Sequence, residues 1–221
     1  MSFDIALMAD KLPALGSAAL VTLGLWIAAL AASLVVGLAI ATGRLLGGPV
    51  VNTVLRLFVE MIRGTPFLIQ LFLLYFGGPS LGITLDPLPA GFIALTIFGG
   101  CYMSEVFRTG FRAVPRGHIE AAESAGFTRL QVLRRIIVPE MLVLVLPAGV
   151  NIAIGLIKET AVLSIIGVPE LAAIAGEIGA ETYAFVESLF LLSICYWLLV
   201  EICGRLGRLA EARLSNFRFA A

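Results

Sequence analysis

Long runs without a charged residue alternate with short charged stretches along this chain of 221 residues. Asp, Glu, Lys and Arg are absent from residues 12–43, 64–85, 87–104 and 141–157. A helix of about 20 apolar residues is long enough to cross the hydrocarbon core of a bilayer. A further apolar segment, residues 185–204, has a glutamate near each end. The pattern predicts five membrane-spanning helices, over about 14–43, 54–77, 88–111, 139–167 and 185–205.

The composition agrees with a membrane location. Hydrophobic residues make up 60% of the chain, whereas soluble globular proteins contain about 45–50%. Helices in lipid satisfy their own backbone hydrogen bonds, while a soluble domain of this length could not bury so much apolar surface. The first apolar segment lacks a preceding basic region and a small-residue cleavage site, so we expect a retained helix rather than a signal peptide. We predict an all-α integral membrane protein in which residues 1–221 form one transmembrane domain.

Residues that would support catalysis, metal binding or nucleotide binding are scarce. The only histidine is His118, and the three cysteines all lie inside apolar segments without metal-ligand spacing. A phosphate-binding P-loop ends in Gly-Lys-Ser or Gly-Lys-Thr, but the two lysines, Lys11 and Lys158, follow Asp10 and Ile157. We therefore expect neither an enzyme nor a cofactor site in this chain, and no nucleic-acid partner.

The placement of arginine predicts the orientation in the membrane, because basic residues are retained on the cytoplasmic side of short loops. Arginines follow the apolar segments 12–43, 87–104 and 185–204, which belong to the first, third and fifth predicted spans: Arg44, Arg56, Arg108, Arg112, Arg116, Arg129, Arg134, Arg135, Arg205, Arg208, Arg213 and Arg218. The connections at 77–89 and 169–184 contain acidic residues but no Lys or Arg. We therefore expect the N-terminus outside the cell and the C-terminus in the cytoplasm.

A charged segment connects the third and fourth predicted spans, on the side that arginine assigns to the cytoplasm. We call residues 115–138 the handle. Helix-forming residues lead to Gly126, which stands where a helix C-terminal cap favours positive φ. Thr128 and Gln131 have the spacing of a capping box that starts a second helix. An apolar stripe follows until Pro139, which we expect to break or kink this helix. The stripe consists of Leu130, Leu133, Ile136 and Ile137.

Two uses fit the handle equally well on its residues alone. Ala121, Ala122 and Ala125 present small side chains that allow another protein to approach closely, so that a rigid handle would transmit a push to the fourth span. In the alternative, Arg134 and Arg135 hold an amphipathic hairpin on anionic lipid.

The handle also resembles the EAA motif of ABC importer permeases. The matching residues are EAA at 120–122, Gly126, Ile136 and Val138-Pro139, and only Val138 departs from the family's pattern, which has Leu there. Three stretches are similar to the polar amino acid permeases: RGTPFLIQLFLLYFG at 63–77, EVFRTGFRAVPRG at 105–117 and LIKETAVLSIIGVPEL at 156–171. The resemblance covers residues 60–171, about half of the chain.

The resemblance implies a type I ABC importer permease fold with five spans and a dimeric pore in the bacterial inner membrane. It implies that the handle contains the coupling helix, with Glu120, Ala121, Ala122, Gly126 and Pro139 acting in coupling to a cytoplasmic ABC ATPase dimer. ATP and magnesium would then belong to that partner. The other implied partners are a second permease subunit, identical or different, an extracytoplasmic substrate-binding protein, and a polar amino acid or related amine as substrate.

Polar residues inside the predicted spans are candidates for substrate binding or gating, because an ionisable group costs about 2.5–3.5 kcal/mol at membrane depth. Arg63 lies beside Gly64 and Pro66, which can break a helix. Arg63, Glu105 and Arg108 form either a structural ion-pair cluster near the cytoplasmic face or part of a gate or substrate site.

The fourth predicted span carries a second group of candidates. Lys158 and Glu159 offer the two charges that a zwitterionic amino acid needs, and Thr160 and Ser164 follow them in a span interrupted by Pro and Gly. An outer gate or a docking point for a binding protein is an equally open interpretation. Further polar candidates, for which helix–helix hydrogen bonding is the commoner use, are Thr65, Gln70, Tyr102 and Asn151.

Two other functions remain open at this point. An ion-coupled secondary carrier or a channel working alone would need an intramembrane carboxylate, and only Glu105 and Glu159 are placed for that role. A membrane scaffold that merely recruits a cytosolic protein through the handle would tolerate the replacement of Glu105, Lys158 and Glu159.

Overall fold

A computed structural model describes the backbone of residues 5–218 and the side chains of residues 10–213. The two chain ends, residues 1–4 and 219–221, lie outside the described residues, and so does the side chain of Arg218. The predictions that the N-terminus is outside the cell and the C-terminus is in the cytoplasm therefore concern residues beyond the described part. The first four helices are α1 (Ile5–Leu46), α2 (Pro49–Arg63), α3 (Phe67–Tyr75) and α4 (Pro87–Ala113), with a 3-10 turn at Gly78–Leu81. The handle contains α5 (Arg116–Ser124), α6 (Arg129–Val132) and a π-helical turn (Leu133–Ile137). Then come α7 (Val138–Glu159), a 3-10 helix (Thr160–Ile166), α8 (Leu171–Thr182) and α9 (Phe185–Arg218).

Among the described residues, up to five helical units have the length and hydropathy of membrane spans, which makes this an all-α membrane protein. Four are single stretches, at Asp10–Leu46, Pro87–Ala113, Arg129–Ile166 and Phe185–Arg213. The fifth unit is the pair α2 and α3, between which the helix axis bends by 104°. This bend lies inside the segment 54–77, at Gly64, Thr65 and Pro66, where proline supplies no backbone N–H to continue the helix.

Gln70 braces the bend between α2 and α3. Its side-chain amide donates hydrogen bonds to the backbone oxygens of Ile62, at 2.6 Å, and Thr65, at 3.0 Å, and to the Thr65 hydroxyl at 2.9 Å. The Thr65 hydroxyl in turn donates to the oxygen of Met61. Breaking a helix leaves carbonyl groups without amide partners, and unsatisfied groups are costly in lipid. The structure therefore gives Gln70 and Thr65, two predicted site residues, partners within the bend itself.

Helices α1 and α4 pack closely through small residues. A Cβ atom added to Gly37 would lie 2.7 Å from the Met103 Cβ and 2.9 Å from the oxygen of Gly100. The Ser33 hydroxyl donates to the Thr96 oxygen at 3.2 Å. Small residues at a helix interface allow the close contacts and hydrogen bonds that hold membrane helices together. Helices α2, α3 and α7 also pack against α4.

The connection at 169–184 contains a helix, α8, that the sequence pattern did not predict. With 12 residues, α8 is too short to cross a membrane alone. It begins where the Glu170 carboxylate accepts a hydrogen bond from the Ala173 amide at 2.8 Å. Leu171, Ala175 and Ile178 pack in a cluster with residues of α1 and α9. The apolar face of α8 is thus covered within the protein.

Candidate functional site

An open cavity of about 440 Å³ lies between α4 and α7, with Arg63 of α2 on one side. Its polar lining consists of Arg63, Tyr102, Glu105 and Thr109, and the rest of the wall is apolar. Small-molecule sites commonly occupy about 300–1,000 Å³ and combine mostly apolar walls with a few polar groups. Three predicted site residues, Arg63 of α2 and the α4 pair Tyr102 and Glu105, therefore meet in a cavity suited to a small polar ligand.

Glu105 is the centre of an ion-pair cluster. Its carboxylate accepts hydrogen bonds from Arg108 at 2.6 and 3.0 Å and from Arg44 of α1. The Arg44 side chain is 9% exposed and that of Glu105 is 19% exposed. The predicted pair of Glu105 and Arg108 is present, but Arg44 rather than Arg63 completes the cluster. Arg44 stands 61 residues before Glu105, and only the packing of α1 on α4 brings the two together.

Arg63 instead lies over the ring of Tyr102, with its guanidinium carbon 5.1 Å from the ring centroid. None of the ion pairs formed by the described side chains includes Arg63. A cation over an aromatic ring keeps its charge available for a second, anionic partner. The cavity thus presents one uncompensated positive charge, because the charge of Glu105 is shared by two other arginines.

The polar residues of the fourth span lie elsewhere. Asn151 and Lys158 are exposed on α7 and Glu159 is half-buried, but none of the three lines the cavity. Ser164 donates a hydrogen bond to the backbone of its own 3-10 helix. The structure therefore separates Lys158 and Glu159 from Arg63 and Glu105, so the two groups of candidates do not form one site.

Thr160 belongs to a buried network instead of a ligand-accessible surface. Its hydroxyl is fully buried and lies 3.2 Å from the hydroxyl of Tyr196. Tyr196 donates to the carboxylate of Glu170 at 2.9 Å. Burial raises the pKa of the Glu170 carboxyl, and hydrogen bonds from the amides of Ala172 and Ala173 and from Tyr196 oppose that rise. In the sequence, Glu170 falls in the connection at 169–184, and no local signal there shows that Tyr196 of α9 contacts it.

The corner of the handle has the predicted geometry. Gly126 has a φ of 82°, in the left-handed region that glycine adopts without strain. The capping box is also confirmed, since the Thr128 hydroxyl accepts from the Gln131 amide while the Gln131 side chain accepts from the Thr128 amide. The corner between α5 and α6 could therefore be predicted from local sequence signals.

The handle is attached to the beginning of α7. The His118 Nδ1 atom lies 2.8 Å from the Glu140 carboxylate, and Ile119 packs in a cluster with Met141 and Val145. Ala122 is only 7% exposed, so the prediction that it presents an open surface is wrong: that face of α5 is turned inward. The outer face carries Glu120, Ala121 and Ala125, all exposed.

Pro139 does not break the fourth span. The π-helical turn Leu133–Ile137 precedes it, and the amide of Val138 donates to the oxygen of Leu133, five residues earlier. The wider turn accommodates the proline, and the helical stretch Arg129–Ile166 continues through it. The predicted stripe does not mark the inward face of this segment: Val132 is buried, whereas Leu130 and Leu133, from the stripe, are 56% and 39% exposed.

Comparison with known proteins identifies the family. Residues 33–216 match the family described as "Binding-protein-dependent transport system inner membrane component". The chain belongs to this family. PatM of Vibrio harveyi, a probable amino-acid ABC transporter permease protein, is 33% identical over 98% of both chains. YxeN of Bacillus subtilis (strain 168), a probable amino-acid permease protein, is 33% identical over 97% of both chains.

A solved structure agrees with this assignment to the permease family. A chain in the crystal structure of an amino acid ABC transporter with histidines superposes with a TM-score of 0.89 at 33% identity. The match covers 96% of this chain and 100% of that chain. The resemblance carried by the EAA-like motif is thus confirmed, and the chain is a multi-pass inner-membrane component of a binding-protein-dependent transport system.

Proposed function

We propose that this chain is the permease subunit of an ATP-driven importer for polar amino acids or related amines. A cytoplasmic ATPase dimer, which binds ATP and magnesium, would supply the energy, and an extracytoplasmic binding protein would deliver the substrate. A second permease subunit, identical or different, would complete the pathway. The N-terminus would lie outside and the C-terminus in the cytoplasm, which puts the handle on the ATPase side. The substrate class rests on relatives named as amino-acid permeases.

The mechanical connection between the handle and the cavity carries this proposal. His118 and Ile119 attach α5 to Glu140 and Met141 at the beginning of α7. From Arg129 to Ile166 the chain is one helical stretch, and its middle part forms one wall of the cavity. A displacement of α5 would therefore move that wall against α4, which opens or closes the cavity without any nucleotide site in this chain.

Within the cavity, Arg63 is the group proposed to bind the carboxylate of the substrate. It is the cation there without a carboxylate partner among the described side chains, and the apolar wall of α4 and α7 would receive the substrate's side chain. Lys158 and Glu159 lie outside the cavity and remain proposed for an outer gate or a docking point of the binding protein.

A carrier that works alone is less well supported. Such a carrier needs an intramembrane carboxylate that gains and loses a proton or a sodium ion during transport. Glu105 is held between Arg44 and Arg108, which leaves Glu159 as the remaining candidate of the two. Uptake by vesicles that contain this chain without an ATPase would favour that function over the proposed one.

Two substitutions at Gly126 test whether the handle couples ATP hydrolysis to transport. Gly126→Val places a β-branched residue at positive φ, which costs about 1–3 kcal/mol, and should reduce uptake at least about tenfold while ATP hydrolysis continues. Gly126→Asn is the matched control, because Asn tolerates this conformation and an added Cβ meets no atom within 4 Å. Coupled uptake is measured in proteoliposomes containing all partners. Normal uptake by Gly126→Val would contradict the proposed coupling.

A second experiment tests the substrate contact. Arg63→Gln removes a charged hydrogen bond worth about 1.5–3 kcal/mol, so we expect the KM for uptake to rise about tenfold or more. Arg56→Gln is the control, because Arg56 lies on the same helix but outside the cavity and is paired with Glu60. An unchanged KM in Arg63→Gln would remove Arg63 from the substrate site.

A further inference from the structure

An apolar groove of about 860 Å³ follows the outside of the helix bundle between α1 and α7, with α4 as its floor. Leu34 and Leu38 of α1, Leu142 and Leu146 of α7, and Phe107 of α4 are among its walls. From its first to its last lining residue on α1 the groove extends for roughly 24 Å at the usual helical rise. One leaflet contributes roughly half of the 30 Å hydrocarbon core, so the groove is long enough for an extended acyl chain.

One end of this groove adjoins a basic cleft. The cleft and the groove share Leu45 and Phe111 as lining residues. The polar lining of the cleft consists of Asn52, Arg44, Arg108 and Arg112. Glu105 pairs with two of these arginines, while Arg112 takes part in none of the ion pairs among the described side chains. The cleft therefore keeps an excess of positive charge.

Arg44, on the wall of the cleft, has a buried hydrogen-bonding atom without a partner in the part of the chain that the structure describes. Its side chain is only 9% exposed, and its Nε atom has no hydrogen-bond partner among the described residues. A buried N–H group without a partner costs free energy that an incoming acceptor would recover. The cleft has a volume of about 20 Å³, which admits little more than one oxygen atom.

We propose that the groove and the cleft together bind one anionic phospholipid. An acyl chain lies in the groove, and a phosphate oxygen enters the cleft while the rest of the headgroup stays at its mouth. Arginine suits phosphate because its planar donors match the phosphate oxygens, and basic pockets between membrane helices bind anionic headgroups. Glu105 pairs with Arg44 and Arg108 of the cleft and also lines the cavity. The same ion-pair cluster therefore connects the lipid site with the cavity.

Native mass spectrometry of the purified full-length chain tests this proposal. The probes are dioleoylphosphatidylglycerol, which is anionic, and dioleoylphosphatidylcholine, which is zwitterionic. Arg112→Gln should weaken binding of the anionic lipid about fivefold, the equivalent of roughly 1 kcal/mol per arginine. Gly149→Phe should also weaken it, since Gly149 lines the groove and an added Cβ there meets no atom within 4 Å. Inorganic phosphate should not displace the lipid.

Two control variants separate these effects from general changes in charge or volume. Arg205→Gln removes an exposed arginine paired with Glu201, and Gly24→Phe adds a ring at another open position on α1. Both should bind the anionic lipid as the parent protein does. Equal affinity for the two lipids, or binding unaffected by Arg112→Gln and Gly149→Phe, would overturn the proposal.

Two further outcomes would replace the proposed occupant with another one. Loss of lipid in Arg112→Gln but not in Gly149→Phe, together with displacement by inorganic phosphate, would leave an anion site without a lipid groove. A change from dimer to monomer mass in Gly149→Phe, with lipid binding unchanged, would show that a second copy of the chain covers the groove. Either result contradicts a phospholipid held by both parts.

Discussion

Removal of the Glu105 carboxylate is expected to destabilise the protein, because two arginines depend on it for their ion pairs. Glu105→Gln leaves Arg44 and Arg108 close together, with Arg44 only 9% exposed. Breaking a buried ion pair by removing one partner costs about 3–5 kcal/mol. Because Glu105 is 19% exposed and Arg108 is 27% exposed, we expect the lower end, about 3 kcal/mol. Stability, rather than transport, is the readout, since Glu105 also lines the cavity.

Equilibrium unfolding in mixed micelles, followed by far-UV circular dichroism, measures this loss. Glu201→Gln is the matched control: Glu201 also pairs with two arginines, Arg205 and Arg208, but these are 71% and 64% exposed, so it should change stability little. Adding Arg44→Gln to Glu105→Gln should cost less than the sum of the two single changes. Equal stability of Glu105→Gln and the parent protein would refute the buried cluster.

Two other predictions concern packing and pH. Gly110→Ala should lower the free energy of unfolding by about 1–3 kcal/mol, because the added Cβ would lie 2.7 Å from the Met141 Cγ atom. Gly149→Ala is the control, because its added Cβ meets no atom within 4 Å. Equal losses in the same unfolding assay would contradict the close packing of α4 on α7. Since burial raises the pKa of Glu170, the folded state holds this proton more tightly than the unfolded state, and stability should fall as pH rises above about 4.3. Glu170→Gln should flatten that slope, and an unchanged slope would assign the pH dependence to other groups.

The sequence predicted those features that depend on neighbouring residues. Gly126 and the pair of Thr128 and Gln131 determine a helix end and a helix start, and both require only local backbone geometry. The long charge-free runs likewise predicted helical membrane spans, because the length and hydropathy of a span are properties of one continuous segment. The pairing of Glu105 with Arg108 was also accessible, because these residues are three apart on one helix.

Features that depend on packing between distant segments were missed. Arg44 reaches Glu105 only because glycines let α1 approach α4 closely. Glu170 is buried and accepts a hydrogen bond from Tyr196 of α9, a contact that its own neighbours in sequence do not indicate. The π-helical turn before Pro139 keeps a helix continuous where the residue type alone predicts a break or kink. In each case tertiary contacts, rather than local preference, decided the conformation.

In the proposed mechanism, the handle contacts a nucleotide-hydrolysing partner and passes its motion to α7. Cross-linking from the exposed outer face of α5 tests this most directly. With Ala125→Cys in a chain whose three native cysteines are replaced, a short thiol-reactive cross-linker should join the permease to its ATPase in the assembled complex. The cross-link should form in membranes containing both proteins. A complex that is active in uptake but gives no cross-link from position 125, or from the neighbouring Ala121→Cys, would contradict the account.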